Sequence, residues 1–354
     1  MLILAINPGS TSTKIAAFQG KQGLWKETIE HSVEEVGSFS KITDQSGFRT
    51  ATILNILKKR GCEMGQFSAV VGRGGLLKPL VGGTYRVDEY LVNELQNAPE
   101  GEHASNLGGI IAYQLAQSVS VPAYIVDPVA VDELEPHARL SGHPEIPRVS
   151  LSHALNMKAV ARKVAAQRGK DYREMNLLMA HLGGGISVAA HRKGRMIDVN
   201  NANAEGPFSP ERCGTLPSRQ LVKLCFSGRY NQEEMFTLLN KEGGMYAYLG
   251  IKDVREAEKR MAGGDEQARL VLEAMCYQVA KEIGAMSAVL AGEVECIVLT
   301  GGIAYSDFIT GEIVRRVSFI APVVVVPGEE EMESLALGAL RVLQHEEEAL
   351  TYRA

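Results

Sequence analysis

One pattern occurs twice in this chain, and it narrows the possible folds more than any other feature. Residues 4–17 read Leu-Ala-Ile-Asn-Pro-Gly-Ser-Thr-Ser-Thr-Lys-Ile-Ala-Ala. Residues 179–190 read Met-Ala-His-Leu-Gly-Gly-Gly-Ile-Ser-Val-Ala-Ala. Each is an apolar run, a Gly/Ser turn and a second apolar run ending in Ala-Ala, the signature of strand, turn and strand. A repeated unit points to an architecture built from copies. One copy opens each half of the chain, so two related domains are expected, 1–150 and 151–333, with a boundary near 148–152. The length of 354 residues agrees, at roughly 150 residues per domain.

Between the repeats, strands and helices alternate. Glycines cluster after short apolar runs: Gly72 to Gly75 follow the run at 67–71, Gly183 to Gly185 follow 177–180, and Gly301-Gly302 follow 294–299. Such runs read as buried strands entering tight turns. Segments with helical period lie at 50–59, 87–96, 106–117, 154–167 and 267–290. No proline occurs between Pro217 and Pro322, which leaves room for long helices there. Alternation of this kind is the mark of an α/β fold.

Composition closes off several function classes. Lys and Arg number 37 against 42 Asp and Glu, a net charge of -5 without a basic block. That balance suits neither nucleic acid nor a membrane surface as a general partner. No apolar run reaches the ~18 residues of a membrane span, and the N-terminal run lacks the basic flank of a secretory signal. The five cysteines are scattered, with neither a zinc spacing nor C-x-x-C, and suggest reduced thiols and a cytoplasmic location.

The turns of the two hairpins are rich in anion donors. Asn7, Ser10, Ser12 and Thr13 offer polar groups and Lys14 offers charge, while Gly183, Gly184 and Gly185 expose backbone N–H groups beside His181. Neither turn is a Walker A loop or a dinucleotide G-x-G-x-x-G turn. As a pair they suggest two loops gripping the phosphates of one nucleotide. Leu299-Thr300-Gly301-Gly302-Ile303, between a buried strand and a helix, is a place where backbone can approach a nucleoside.

Taken together, these segments resemble the actin-like ATPase superfamily, and within it the acetate and butyrate kinases. Asn7-Pro8-Gly9-Ser10-Thr11-Ser12-Thr13-Lys14 is similar to the first signature of those kinases, and 180–187 to their second phosphate loop. Asp198-Val199-Asn200-Asn201-Ala202 and the segment 205–214 resemble the butyrate kinases in particular. The resemblance implies two actin-like (ribonuclease H-like) domains with a nucleotide cleft between them, the C-terminal helical segment, about 334–354, returning to the first. It implies transfer of the ATP γ-phosphoryl to butyrate or a branched short-chain acid, reversibly, with acetate or propionate as the alternative acceptor. A chaperone-like or filament-forming ATPase is the competing class. Implied catalytic residues are Arg73, Asp127, His153, His181 and Arg212. Implied nucleotide contacts are Asn7, Ser10, Ser12, Lys14, Gly183, Gly184, Gly185, Asp253, Arg255, Gly301, Gly302 and Ile303. Magnesium is expected on Glu331, with Asn7. The expected partners are a small-molecule carboxylate and further copies of the chain, as a homodimer or larger. The family's usual Asn after the last Gly-Ile is missing from Ile303-Ala304-Tyr305-Ser306.

Elementary chemistry is consistent with these roles. Phosphoryl transfer depends on positioning and charge neutralisation. A carboxylate and a γ-phosphate repel, and two arginine forks can bridge them. The acceptor is ionised at pH 7, so no general base is needed and Asp127 reads better as an orienting group. On residue type alone, Arg73 between glycines is as readily a turn residue, and Asp127-Pro128 a turn starter. His103, His137, His143 and His191 carry no motif and read as surface or structural residues. Gly74-Gly75 after Arg73 and Ser152 before His153 are expected to leave volume for a longer acyl chain.

Overall fold

Both repeats form the hairpins their pattern predicts. The computed structural model describes residues 1–353. Its strands are β1 (Leu2–Pro8), β2 (Ser12–Gln19), β3 (Gln22–Glu30), β4 (Ala69–Arg73), β5 (Thr84–Arg86), β6 (Ala123–Val126), β7 (Asn176–Leu182), β8 (Ile186–Arg192), β9 (Arg195–Val199), β10 (Cys296–Gly301), β11 (Val323–Pro327) and β12 (Leu350–Thr351). One sheet runs β12-β5-β6-β4-β1-β2-β3 and the other β11-β10-β7-β8-β9. In each, a three-stranded antiparallel meander is followed by parallel strands: β1-β2-β3 then β4 and β6, and β7-β8-β9 then β10 and β11. The repeat therefore extends well beyond the hairpins to the strand order of both sheets.

The chain divides into two units, Met1–Val131 with the C-terminal segment from Glu330, and Asp132–Glu329. The division lies earlier than the 148–152 read from the repeat. Residues 132–150 pair with the second sheet: Glu135 N donates to Ile197 O at 3.0 Å, and Arg148 forms ion pairs with Asp198 and Glu205.

In the first unit, β1 and β4 are buried along their lengths through Ile3, Leu4, Ile6, Val70 and Val71. Helices Asn106–Gln117 and Glu331–Leu343 pack on these strands and on β6. The second helix begins three residues before the expected 334, at the carboxylate that the resemblance links to magnesium.

In the second unit, helix Glu266–Val289 covers β7, β8 and β9 with Leu272, Met275, Val279 and Ile283. Helix Ala154–Gln167 packs on β7 and β10. Among the described residues no helix is long and apolar enough to cross a membrane.

Candidate active site

In the first unit, β1 and β2 pair so that Asn7 faces Lys14 across the ladder, and the turn between them carries Gly9 to Thr11. Pro8 and the Gly9 turn end the strand pairing and expose the loop. A cavity of about 460 Å³ opens beside it, lined by Asn7, Ser10, Ser12, Lys14, Arg73 and Glu331 among others. Arg73 ends β4, next to β1. Its guanidinium donates to Glu331 Oε1, and Asn7 Nδ2 donates to Glu331 Oε2. Glu331 is thus joined both to the first loop and to the first arginine. Glu330, with φ +31, turns the chain into the helix that begins at Glu331.

Asp127 lies one residue beyond Val126, the strand partner of Arg73. It is buried, with φ +36, and is held by a reciprocal pair: Gly83 N donates to its Oδ1 at 2.8 Å and its own N donates to Gly83 O at 3.0 Å. It does not line the cavity of the first loop.

Two residues of this unit had no sequence role and acquire one. His103, read as an ordinary residue, lines the cavity with Arg73; burial, helped by that cation, lowers its pKa. Arg49 is fully buried beneath the loop. Its Nη1 donates to Gly9 O at 2.9 Å and Ser12 O at 2.8 Å, and its Nη2 to Ser10 O at 2.9 Å. The guanidinium also bonds Gln45, one helical turn earlier. Arg49 thus shapes the Gly9–Ser12 loop from below. The available signal was an arginine on the same helical stripe as buried Ile53 and Leu57.

In the second unit, β7 delivers His181 and turns through Gly183 to Gly185 into β8. His181 is buried, with Nδ1 2.7 Å from Asn156 Oδ1 and its ring stacked on His153 at 4.0 Å and 11°. His153 Nδ1 bonds Ser187 Oγ at 2.9 Å. A Cβ on Gly183 would stand 3.0 Å from His181 Nε2, so the glycine leaves that edge of the ring open.

Arg212 is folded against the same loop. Ser209 Oγ donates to Gly184 O at 2.5 Å and accepts from Arg212 N at 3.2 Å. Arg212 Nη1 donates to Ala202 O at 3.2 Å, and its guanidinium fills the space a Cβ on Gly185 would need. Burial pulls the Arg212 pKa down, and Glu211 opposes the shift. The third cluster lines a cavity of about 500 Å³ through Gly302 and Ile303, with Asp253, Arg255 and Gly184 on other walls. Arg255 pairs with Asp253 and holds its carboxyl at about 2. Gly301 lies outside that lining; its φ of +93 and close approach to Leu182 make it a backbone requirement of the strand end.

The volume expected after Arg73 is not there. A side chain on Gly74 would run into Pro128, and one on Gly75 into Asn106, whose Oδ1 accepts from Leu76 N at 2.8 Å. Ser152 is buried against Met196. These small residues serve close packing, because neighbours already occupy the space their missing side chains leave.

The catalytic candidates thus fall into two sets. Arg73, Asp127 and the Asn7–Lys14 loop lie with Glu331 in the first unit; His153, His181, Arg212 and the glycine loop lie in the second, with the 253–303 cavity.

A family model described as the acetokinase family matches residues 148–324, half of the chain. Among solved structures, the chain is similar to the acetate kinase of Porphyromonas gingivalis, with TM-score 0.80 and 20% identity over 98% of this chain and 100% of that one. It is similar to a propionate kinase from Francisella tularensis subsp. tularensis SCHU S4, with TM-score 0.77 and 18% identity over 95% and 98%. It is also similar to the acetate kinase of Entamoeba histolytica, with TM-score 0.75 and 16% identity over 99% and 100%. At such identities the likeness carries the fold, which is that of two actin-like α/β domains.

Proposed function

The chain belongs to the acetokinase family and is an ATP-using carboxylate kinase, and we propose that its acceptor is acetate or propionate, converted to the acyl phosphate with release of ADP. The observation that carries this reading is the placement of an arginine beside each anion loop: Arg73 at the Asn7–Lys14 hairpin and Arg212 against Gly185. A carboxylate oxygen forms the bond to the γ-phosphorus, and the bond from phosphorus to the β-bridging oxygen breaks, its electron pair leaving with ADP. Arg73 and Arg212 offset the repulsion between acid and phosphate, each through a planar fork. Backbone N–H groups of 183–185 and the hydroxyls of Ser10 and Ser12 take the phosphate oxygens. His181 and His153 donate to charge that builds on the transferring group. Asp127, pinned by Gly83, keeps the end of β6 in place beside Arg73.

The donors around the first loop suit magnesium. Glu331 brings one carboxylate and Asn7 one amide oxygen, a small set of hard oxygen donors of the kind that completes a phosphate-bound magnesium. Among the described residues no group of three or more His, Cys, Asp or Glu forms a metal cage. Glu331 and Asn7 would hold the ion, whose positive charge would offset that of the phosphate oxygens. The cavity with Asp253, Arg255, Gly302 and Ile303 is the proposed adenosine site.

The solved acetate and propionate kinases support the shorter acids. A second reading, butyrate, is supported by the likeness of 198–202 and 205–214 to butyrate kinases. Hydroxamate capture of the acyl phosphate, run with ATP, magnesium and acetate, propionate, butyrate or isobutyrate, decides between them. The highest kcat/KM is expected with acetate or propionate. A butyrate maximum would replace that reading with the second, and ADP release independent of any acid would sink both in favour of a plain ATPase. The five free cysteines support a reducing, cytoplasmic compartment. The exposed Val222, Phe226 and Phe236 support association into a homo-oligomer, which sedimentation velocity would detect.

A further inference from the structure

Asn156 sits in the first turn of helix Ala154–Gln167 and is buried. Its Nδ2 donates to Glu329 O at 3.1 Å and Gly328 O at 3.4 Å. Carbonyl oxygens only accept, so the NH₂ edge of this amide must face them. The other edge, Oδ1, is then the one 2.7 Å from His181 Nδ1. An amide oxygen also only accepts, so His181 Nδ1 carries the proton of that bond. A neutral imidazole has a single N–H. With it committed to Asn156, Nε2 of the neutral ring is a bare lone pair.

Nε2 is buried and has no hydrogen-bond partner. It faces the opening left by Gly183. A lone pair there repels phosphate oxygens, whereas a second proton would turn the same atom into a donor. Two titratable groups face the ring: Glu329 brings its Oε1 to 3.6 Å from Nε2, and His153 is stacked at 4.0 Å. The neighbouring strands β8 and β10 bring Ser187 and Thr300 beside His181 in register.

We propose that Asn156 is a positioning residue that fixes the tautomer of His181, so that His181 can donate to the transferring phosphoryl group only as the imidazolium. This rests on the phosphoryl-transfer reading for its use, although the tautomer itself does not. Asn156 reaches the phosphate through His181 and joins the ring to the 328–329 turn.

The tautomer is read without activity, from long-range ¹H–¹⁵N histidine correlations of the full-length protein, with His181 assigned by its loss in His181→Gln. In its neutral form the His181 ring should show a protonated Nδ1 and a bare Nε2; a neutral ring protonated on Nε2 in the wild type overturns the proposal. The second readout is the pH dependence of kcat/KM with whichever acid is turned over. Activity should fall toward alkaline pH, where the ring holds a single proton. Asn156→Asp should move that alkaline limb upward by ~1 unit, because a carboxylate on Nδ1–H stabilises the imidazolium. Asn156→Ala should flatten it, because the neutral ring is then free to carry its proton on Nε2. A wild-type Nδ1–H tautomer with an alkaline limb unchanged in both variants overturns the imidazolium requirement. Absence of acyl phosphate with every acid would sink the kinase reading while leaving the tautomer measurement intact.

Discussion

At the residue scale, the two arginines carry different kinds of support. Arg73 is anchored by Glu331, an ion pair that also holds Asn7. Arg212 is anchored by backbone, through Ala202 O and the 209–212 turn against the glycine loop. In the proposed mechanism, removing either fork deletes a preorganised donor from the developing charge, and such deletions lower rate by ~10²–10³. Arg73→Ala and Arg212→Ala should therefore cut kcat by about that factor, with ATP affinity changed far less. Lysine should restore only part of the loss, since it keeps charge but loses the fork. Steady-state kinetics beside nucleotide titration measures both quantities, and near-normal turnover of the two alanine variants would remove the arginines from the mechanism.

At the scale of the element, each hairpin loop is held from outside by a group distant in sequence. Arg49 clamps the carbonyls of the first loop, and Ser209 with Arg212 clamps the second. Glycine then marks two different demands. Gly75 is packed against Asn106, so Gly75→Ala must push that side chain or the 106–117 helix aside. It should lose activity with acetate and butyrate alike, because it disturbs the strand end that carries Arg73. Gly302 has open space where a Cβ would stand and lines the third cavity. Gly302→Ala should keep its thermal midpoint and raise the KM for ATP. A Gly75→Ala enzyme that loses butyrate activity alone would revive the idea of acyl volume at that site. An unchanged KM for ATP in Gly302→Ala would argue against the third cavity as the nucleoside site.

At the scale of the whole molecule, buried histidines couple stability to pH. His31 and His103 in the first unit and His191 in the second have their pKa values lowered, chiefly by burial. His191 is fully buried and bonded to the Tyr172 hydroxyl at 2.7 Å. In the unfolded chain these groups titrate near ~6.5. Above that value both states are neutral and nothing is lost. As pH falls below it, the unfolded chain takes up protons that the folded chain refuses, so stability declines toward pH 5. Asp171 and Asp253, held at about 2 by Arg173 and Arg255, act in a lower window. Their contribution is lost only as pH falls below their unfolded value of ~3.9. Thermal midpoints measured from pH 7.5 to 5 should fall, and His191→Gln should flatten the slope. A midpoint constant across that range would show that the histidines do not titrate differently in the two states.

How much of this was legible in the sequence follows from the range of the interactions. The hairpins at 4–17 and 179–190, the strand before each glycine cluster and the helices at 106–117 and 154–167 depend on local apolar period and turn chemistry, and the chain states these directly. The duplication was visible because the two hairpins echo one another, and the structure extends it to the strand order β3-β2-β1-β4-β6 against β9-β8-β7-β10-β11. Arg73, His181 and Arg212 could be singled out because their neighbouring residues match a family motif. What those residues touch was not legible. Glu331 meets Arg73 across 258 positions and Asn156 meets the 328–329 turn across 172 and 173. No spacing in a sequence encodes such pairs; they exist only once sheets and helices have packed. For the same reason the sequence could present Gly74-Gly75 as empty space, while tertiary packing had already filled it with Pro128 and Asn106. Local chemistry decided the elements, and close packing decided which polar groups stand together and which small residues leave room.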